Sequence, residues 1–124
     1  MEQKILIVDD HVETWQVLSA ILRSGGFRPV WAADAVNAMS EARKQRPHAV
    51  LLDLGLPGGD GFIVLERLKA NRLLSDIPVI VVTAMEAKAT ESKALEHGAA
   101  AFLQKPVKPD ELIATIHAVI NKKN

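Results

Sequence analysis

Apolar and polar positions separate short strands from longer helices along this chain. Ile5-Leu6-Ile7-Val8 is a continuous aliphatic run without polar alternation, the pattern of a strand buried on both faces of a sheet. Val12, Trp15, Leu18, Ile21 and Leu22 then recur at helical spacing, predicting a helix that packs on that sheet until Gly25-Gly26 ends it. Arg28 to Ala32 reads as a second strand, weakened by Pro29. Asp34 reads as the cap of a second helix through Ala35, Ala38, Met39 and Ala42, closed by Pro47. Ala49-Val50-Leu51-Leu52 is a third strand ending on Asp53. The loop Gly55-Leu56-Pro57-Gly58-Gly59-Asp60-Gly61 follows, then a helix on Phe62, Leu65 and Leu68 with Ile63 and Val64 alongside. Val79-Ile80-Val81-Val82 is a fourth strand ending at Thr83. The helix expected from about Glu86 to His97 is polar and alanine-rich, with little apolar surface to fix it, and Gly98 terminates it. Ala100 to Leu103 forms the last strand. After Lys105-Pro106, Pro109 opens a final helix with the stripe Leu112, Ile113, Ile116, Val119 and Ile120.

Five βα units without linker or repeat imply an α/β domain, a doubly wound parallel sheet with helices on both faces. Right-handed crossovers leave few orders for five strands, and the flavodoxin-like order 2-1-3-4-5 is the common one. Ligands of such sheets bind beyond the carboxyl ends of the strands. The residues at those ends are Asp9-Asp10, Asp53, Thr83 and Lys105.

Composition narrows the class. The 124 residues make one domain, 48% hydrophobic and 24% charged, with fifteen Lys and Arg against fifteen Asp and Glu. That balance argues against a strongly basic nucleic-acid binder, and the lack of cysteine removes thiolate metal sites and cysteine nucleophiles. No apolar run approaches the roughly 18 to 20 residues of a membrane span. The apolar run before Asp9 is too short for a signal peptide. The expectation is a small, neutral, cytoplasmic domain without membrane insertion.

Neutrality is a sum, and the strand ends are not neutral. Strands one and three are neighbours in this order, so Asp9, Asp10 and Asp53 should converge and repel one another. A hard divalent cation, Mg²⁺ or Mn²⁺, resolves that repulsion with oxygen ligands alone. A carboxylate beside such a cation can attack a phosphoryl group. Lys105 offers a positive charge, and Thr83 a hydroxyl donor, to the phosphoryl oxygens. The Lys105-Pro106 peptide is left open between cis and trans.

Val8-Asp9-Asp10, Asp53-Leu54-Gly55-Leu56-Pro57-Gly58-Gly59-Asp60-Gly61, Val82-Thr83-Ala84 and Lys105-Pro106 occur in order at matching strand ends. Together they resemble the response regulator receiver domains of two-component signalling over the whole chain. The resemblance implies that Asp53 accepts phosphate from a sensor histidine kinase or histidine phosphotransfer protein. It implies that Asp9, Asp10 and Asp53, with the backbone carbonyl of Gly55, serve the Mg²⁺. Thr83, Ala84 and Lys105 would bind the phosphoryl group, and Thr83 and Phe102 would act as the switch. Phosphorylation would then change the surface of helix four, strand five and helix five for a downstream protein or fused output domain, with a phosphorylation-dependent dimer left open.

Residues 1–124 are read as a single receiver domain without an output domain, either stand-alone or excised from a longer chain. Gly55 and Met85 stand where many relatives carry polar side chains that influence acyl-phosphate hydrolysis, and neither can position a water. His11 is set aside as a metal ligand because Mg²⁺ prefers oxygen. His48, His97 and His117 show no partner pattern, and Trp15 and Trp31 read as packing residues. One competing reading is a hydrolase with an aspartyl-phosphate intermediate, disfavoured by Gly55 where such phosphatases often carry a second acid. Another is a flavodoxin-like cofactor binder, disfavoured because the acidic first loop would repel a phosphate. A receiver that has lost phosphorylation is disfavoured because every site position is filled.

Overall fold

The aliphatic runs form the sheet expected of them. A computed structural model describes residues 2–56, 61–84 and 87–121 of the chain. Strands β1 (Lys4–Val8), β2 (Arg28–Ala32), β3 (Ala49–Leu52), β4 (Val79–Thr83) and β5 (Ala101–Gln104) lie parallel in the order β2-β1-β3-β4-β5. Between and after them run α1 (Val12–Ser24), α2 (Ala35–Gln45), α3 (Gly61–Ala70), α4 (Ala87–Glu96) and α5 (Pro109–Asn121).

Strand side chains alternate between two cores because successive residues point to opposite faces. Leu6, Val8, Val50, Leu52, Val79 and Val81 pack with Ala38, Met39, Phe62, Leu65, Leu68 and Ala94 from α2, α3 and α4. Ile5, Ile7, Leu51, Ile80 and Val82 pack with Leu18, Leu22, Leu112, Ile116 and Val119 from α1 and α5. Burial on both faces is why these strands read as unbroken aliphatic runs. β2 is an edge strand, which is where a proline such as Pro29 is tolerated.

Local signals also act as the sequence suggests. The Asp34 carboxylate accepts from the Asn37 amide at 2.8 Å, satisfying an N–H that the helix itself leaves unpaired. α2 stops at Arg46, whose left-handed φ of 47° precedes Pro47.

The expected α1 stripe needs one correction, at Val12, and the two residues alongside the α3 stripe differ in burial. Val12 is 51% exposed, because the first residue of α1 lies above the sheet edge rather than on it, and Ile63 is 39% exposed while Val64 is buried. β5 covers Ala101–Gln104, one residue later than expected. The Ala100 amide still bonds the Val79 carbonyl at 2.8 Å just before that strand. α4 starts at Ala87, with Glu86 outside the described residues. Its described side chains bury only Ala94, and Leu95 faces solvent. A single small anchor makes α4 the helix with the least apolar purchase on the sheet, as its composition implies.

Candidate functional site

Sheet register decides which side chains meet. Val8 pairs with Leu52, so Asp9 and Asp53 emerge level with each other one residue later. The Asp53 amide donates to the Val8 carbonyl at 2.9 Å and the Asp9 amide to the Ala32 carbonyl at 3.1 Å, so both backbones remain tied to the sheet. On the other side Thr83 pairs with Gln104, which brings Lys105 beside Thr83. The Lys105 amide donates to the Thr83 carbonyl at 2.9 Å, and the Lys105-Pro106 peptide is cis.

Asp9 is 2% exposed and Asp53 6%, so their charges need partners inside the protein. The Lys105 ammonium donates to Asp9 Oδ2 at 2.7 Å and reaches Asp53 Oδ2 at 3.5 Å. The buried Thr83 hydroxyl donates to Asp53 Oδ1 at 2.9 Å, and the Gly55 amide donates to that oxygen at 3.1 Å. Asp53 is thus held by a hydroxyl, a main-chain N–H and an ammonium. The structure brings together Asp9, Asp10, Asp53, Thr83 and Lys105 as the sequence suggests. Ala84 is exposed next to Thr83, and Phe102 is half-buried against the core beneath α2, α3 and α4. Met85 and the motif residues Pro57–Asp60 lie outside the described residues.

His11 is a contact that sequence reasoning set aside. Its amide donates to Asp9 Oδ1 at 2.9 Å, and its ring Nδ1 lies 3.0 Å from that oxygen and 3.3 Å from Asp10 Oδ1. The hydrogen bond with Asp9, followed by the charge of Asp10, raises the His11 pKa above the ordinary histidine value. An aspartate accepting from the amide two residues ahead is an available sequence signal. The direction of the ring is not. Trp31 was also read only as packing, yet its indole Nε1–H donates to the Asp9 carbonyl at 2.7 Å while its ring stacks on Trp15.

The donor set suits a hard divalent cation. One ligand atom from each of Asp9, Asp10, His11 and Asp53 lies within 4.8 Å of the others. Among the described residues Asp10 Oδ1 is enclosed without accepting a hydrogen bond, which suits a carboxylate oxygen that takes an ion as its partner. Three carboxylates facing one lysine also leave a local negative excess.

The carboxyl edge of this doubly wound sheet thus gathers three acids, a hydroxyl and a lysine. Residues 5–117 match the family described as response regulator receiver domain. The chain belongs to that family, and the family is one of signalling switches. It is 35% identical over 122 residues to the phosphate regulon transcriptional regulatory protein PhoB of Escherichia coli, covering 98% of this chain and 53% of PhoB. It is 36% identical over 124 residues to the DNA-binding response regulator MtrA of Mycobacterium tuberculosis, covering 100% of this chain and 53% of MtrA. The receiver domain of the sensor histidine kinase PA1611 from Pseudomonas aeruginosa, crystallised with a magnesium ion coordinated in its active site cleft, superposes with a TM-score of 0.89. That match has 32% identity and covers 98% of this chain and 99% of the other. The chain spans about half the length of the curated relatives it matches. Among the described residues no helix is long and apolar enough to cross a membrane.

Proposed function

We propose that Asp53 accepts a phosphoryl group from a sensor histidine kinase or histidine phosphotransfer protein in the cytoplasm. The observation that carries this is the convergence of Thr83 Oγ1 and Lys105 Nζ on the two oxygens of the Asp53 carboxylate. An Asp53 oxygen attacks phosphorus; the O–P bond forms as the P–N bond to the donor imidazole breaks, and the imidazole leaves with the electron pair. Lys105 and Thr83, with Ala84 beside them, then bind the oxygens of the transferred group. Asp9, Asp10, Asp53 and the Gly55 carbonyl would hold Mg²⁺, or Mn²⁺ in its place. When bound, the ion offsets the charge between the carboxylates and the incoming phosphoryl group. Incubation with Mg²⁺ and acetyl phosphate, followed by intact mass, is expected to show one phosphoryl adduct that excess EDTA abolishes. An adduct of equal yield in EDTA would remove the cation from this account.

The phosphoryl group adds roughly −1.5 to −2 charges to a site already in acidic excess. Lys105 and Thr83 are the groups able to follow that charge, with Phe102 behind them in β5. The weakly anchored α4 lies next in the chain after Thr83, so the α4–β5–α5 surface is where a changed population would be read. Its reader is a downstream protein or an output domain, and a phosphorylation-dependent dimer would use the same surface. The domain catalyses only its own phosphorylation and dephosphorylation.

Gly55 sets the lifetime of the modified state on this reading. A Cβ there would stand 3.7 Å from Asp53 Oδ1 and 3.9 Å from Oδ2, so a side chain would fit in ordinary contact and face the acceptor. Glycine supplies none, which also weighs against a hydrolase with a second acid at this position. Gly55→Asn, alone or with Met85→Glu, is expected to accelerate phosphate loss several-fold. An unchanged decay of the adduct after donor removal would sink this role for Gly55.

A further inference from the structure

We propose that Trp31 is a positioning residue for the paired acids, fixing the peptide between Asp9 and Asp10 through its indole N–H and so setting the cation affinity of the site. The inference rests on the cation-assisted reading given above. Trp31 lies on the edge strand β2, 22 residues from Asp9 in sequence, and donates to the Asp9 carbonyl at 2.7 Å. The Asp9 amide is bonded on the same side to Ala32, the next residue of β2, at 3.1 Å. β2 therefore holds Asp9 by both its N–H and its C=O. The carbonyl belongs to the peptide plane that joins Asp9 to Asp10. Fixing that plane fixes where the Asp10 Cα leaves the strand, and with it the spacing of the two carboxylates.

Asp10 depends on this backbone anchor. Asp9 is oriented through its own side chain, by the His11 amide on Oδ1 and Lys105 on Oδ2. Among the described residues Asp10 Oδ1 accepts no hydrogen bond, and its near neighbour is the exposed His11 ring at 3.3 Å. The indole is itself held: the Trp15 ring from α1 lies nearly parallel to it, 6° between planes and 5.3 Å between centroids, an offset stack. Trp15 is in turn packed against the α1–α5 core. A ring held by a stack and anchored by a hydrogen bond orients a metal-binding group from outside the ligand set, as partners of ligands do in metal sites generally.

Two substitutions separate positioning from packing. Trp31→Phe removes the donor and part of the stacked ring area, keeping an aromatic ring against Trp15; Trp15→Phe trims the same stack and keeps the donor, so the difference between the two variants reads the hydrogen bond. Binding of Mn²⁺ is measured by the loss of its free-ion electron paramagnetic resonance signal, without any phosphoryl donor. Trp31→Phe is expected to weaken Mn²⁺ binding about five-fold, the scale of one neutral hydrogen bond, and Trp15→Phe less than two-fold. Equal affinities for Trp31→Phe and the unmodified chain, or equal losses in both variants, would overturn the proposal. Failure of the unmodified chain to bind Mn²⁺ would instead overturn the cation reading itself.

The unmodified protein supplies a second measurement, needed should Trp31→Phe not fold. Its two tryptophans give two indole N–H groups to follow by ¹H–¹⁵N correlation during Mg²⁺ titration. The Trp31 indole signal should move in step with the Asp10 amide and more than that of Trp15. A stationary Trp31 signal beside a shifting Asp10 amide would contradict the coupling.

Discussion

Gly61→Ala destabilises the domain by about 3 kcal/mol, the upper end of the cost of overpacking, and lowers the yield of phosphorylated protein in the folded fraction. A Cβ at Gly61 would lie 2.5 Å from the Asp53 carbonyl oxygen and 2.6 Å from the Leu54 Cα. Both are backbone atoms and cannot swing aside. The Gly61 amide already donates to the Leu54 carbonyl at 2.9 Å, so the first turn of α3 is drawn directly against the end of β3. Relieving the clash moves either α3, which carries the buried Phe62, Val64, Leu65 and Leu68, or the backbone that presents Asp53. Gly25→Ala is the control, because its Cβ would meet chiefly the tip of the Ile113 side chain. Urea unfolding checks the prediction: the Gly61→Ala midpoint should fall at constant slope, well beyond that of Gly25→Ala. Equal midpoints for the two variants would show that the contact between α3 and the end of β3 is not tight.

The strands and the acids at their ends were legible because both are properties of single segments. Buried parallel strands read as aliphatic runs, and the first one or two residues after each run lie at the carboxyl edge. That placed Asp9, Asp53, Thr83 and Lys105 together once the strand order was assumed. The weak hold on α4 was legible for the same reason, since its composition offers little beyond Ala94. What could not be read was the direction of rings and the contacts of an edge strand. The preference of Mg²⁺ for oxygen sets His11 aside as a ligand, but no sequence signal shows that its ring folds back on Asp9. Trp31 looked like packing because its partner is a main-chain carbonyl just past the end of the neighbouring strand, for which no residue type is a marker. Val12 looked like core because helical spacing cannot tell that a helix begins beyond the edge of its sheet.

Asp53→Asn should remove phosphorylation while leaving the domain folded. An amide oxygen at the same place can still accept from the Thr83 hydroxyl and the Gly55 amide, so most of the contacts that hold this side chain survive. What is lost is the anionic nucleophile and the 3.5 Å attraction to Lys105, which retains Asp9 at 2.7 Å. A neutral amide does not displace the donor group from phosphorus at a comparable rate, so the effect is a loss rather than a reduction. The circular dichroism spectrum of the variant should match that of the unmodified chain, which separates lost chemistry from lost structure.

The most direct test of Asp53 as the acceptor is intact mass after incubation with Mg²⁺ and acetyl phosphate, run in parallel on the unmodified chain and on Asp53→Asn. The account predicts a single phosphoryl adduct on the unmodified chain and none on the variant. An adduct that persists in Asp53→Asn would contradict it and place the acceptor elsewhere.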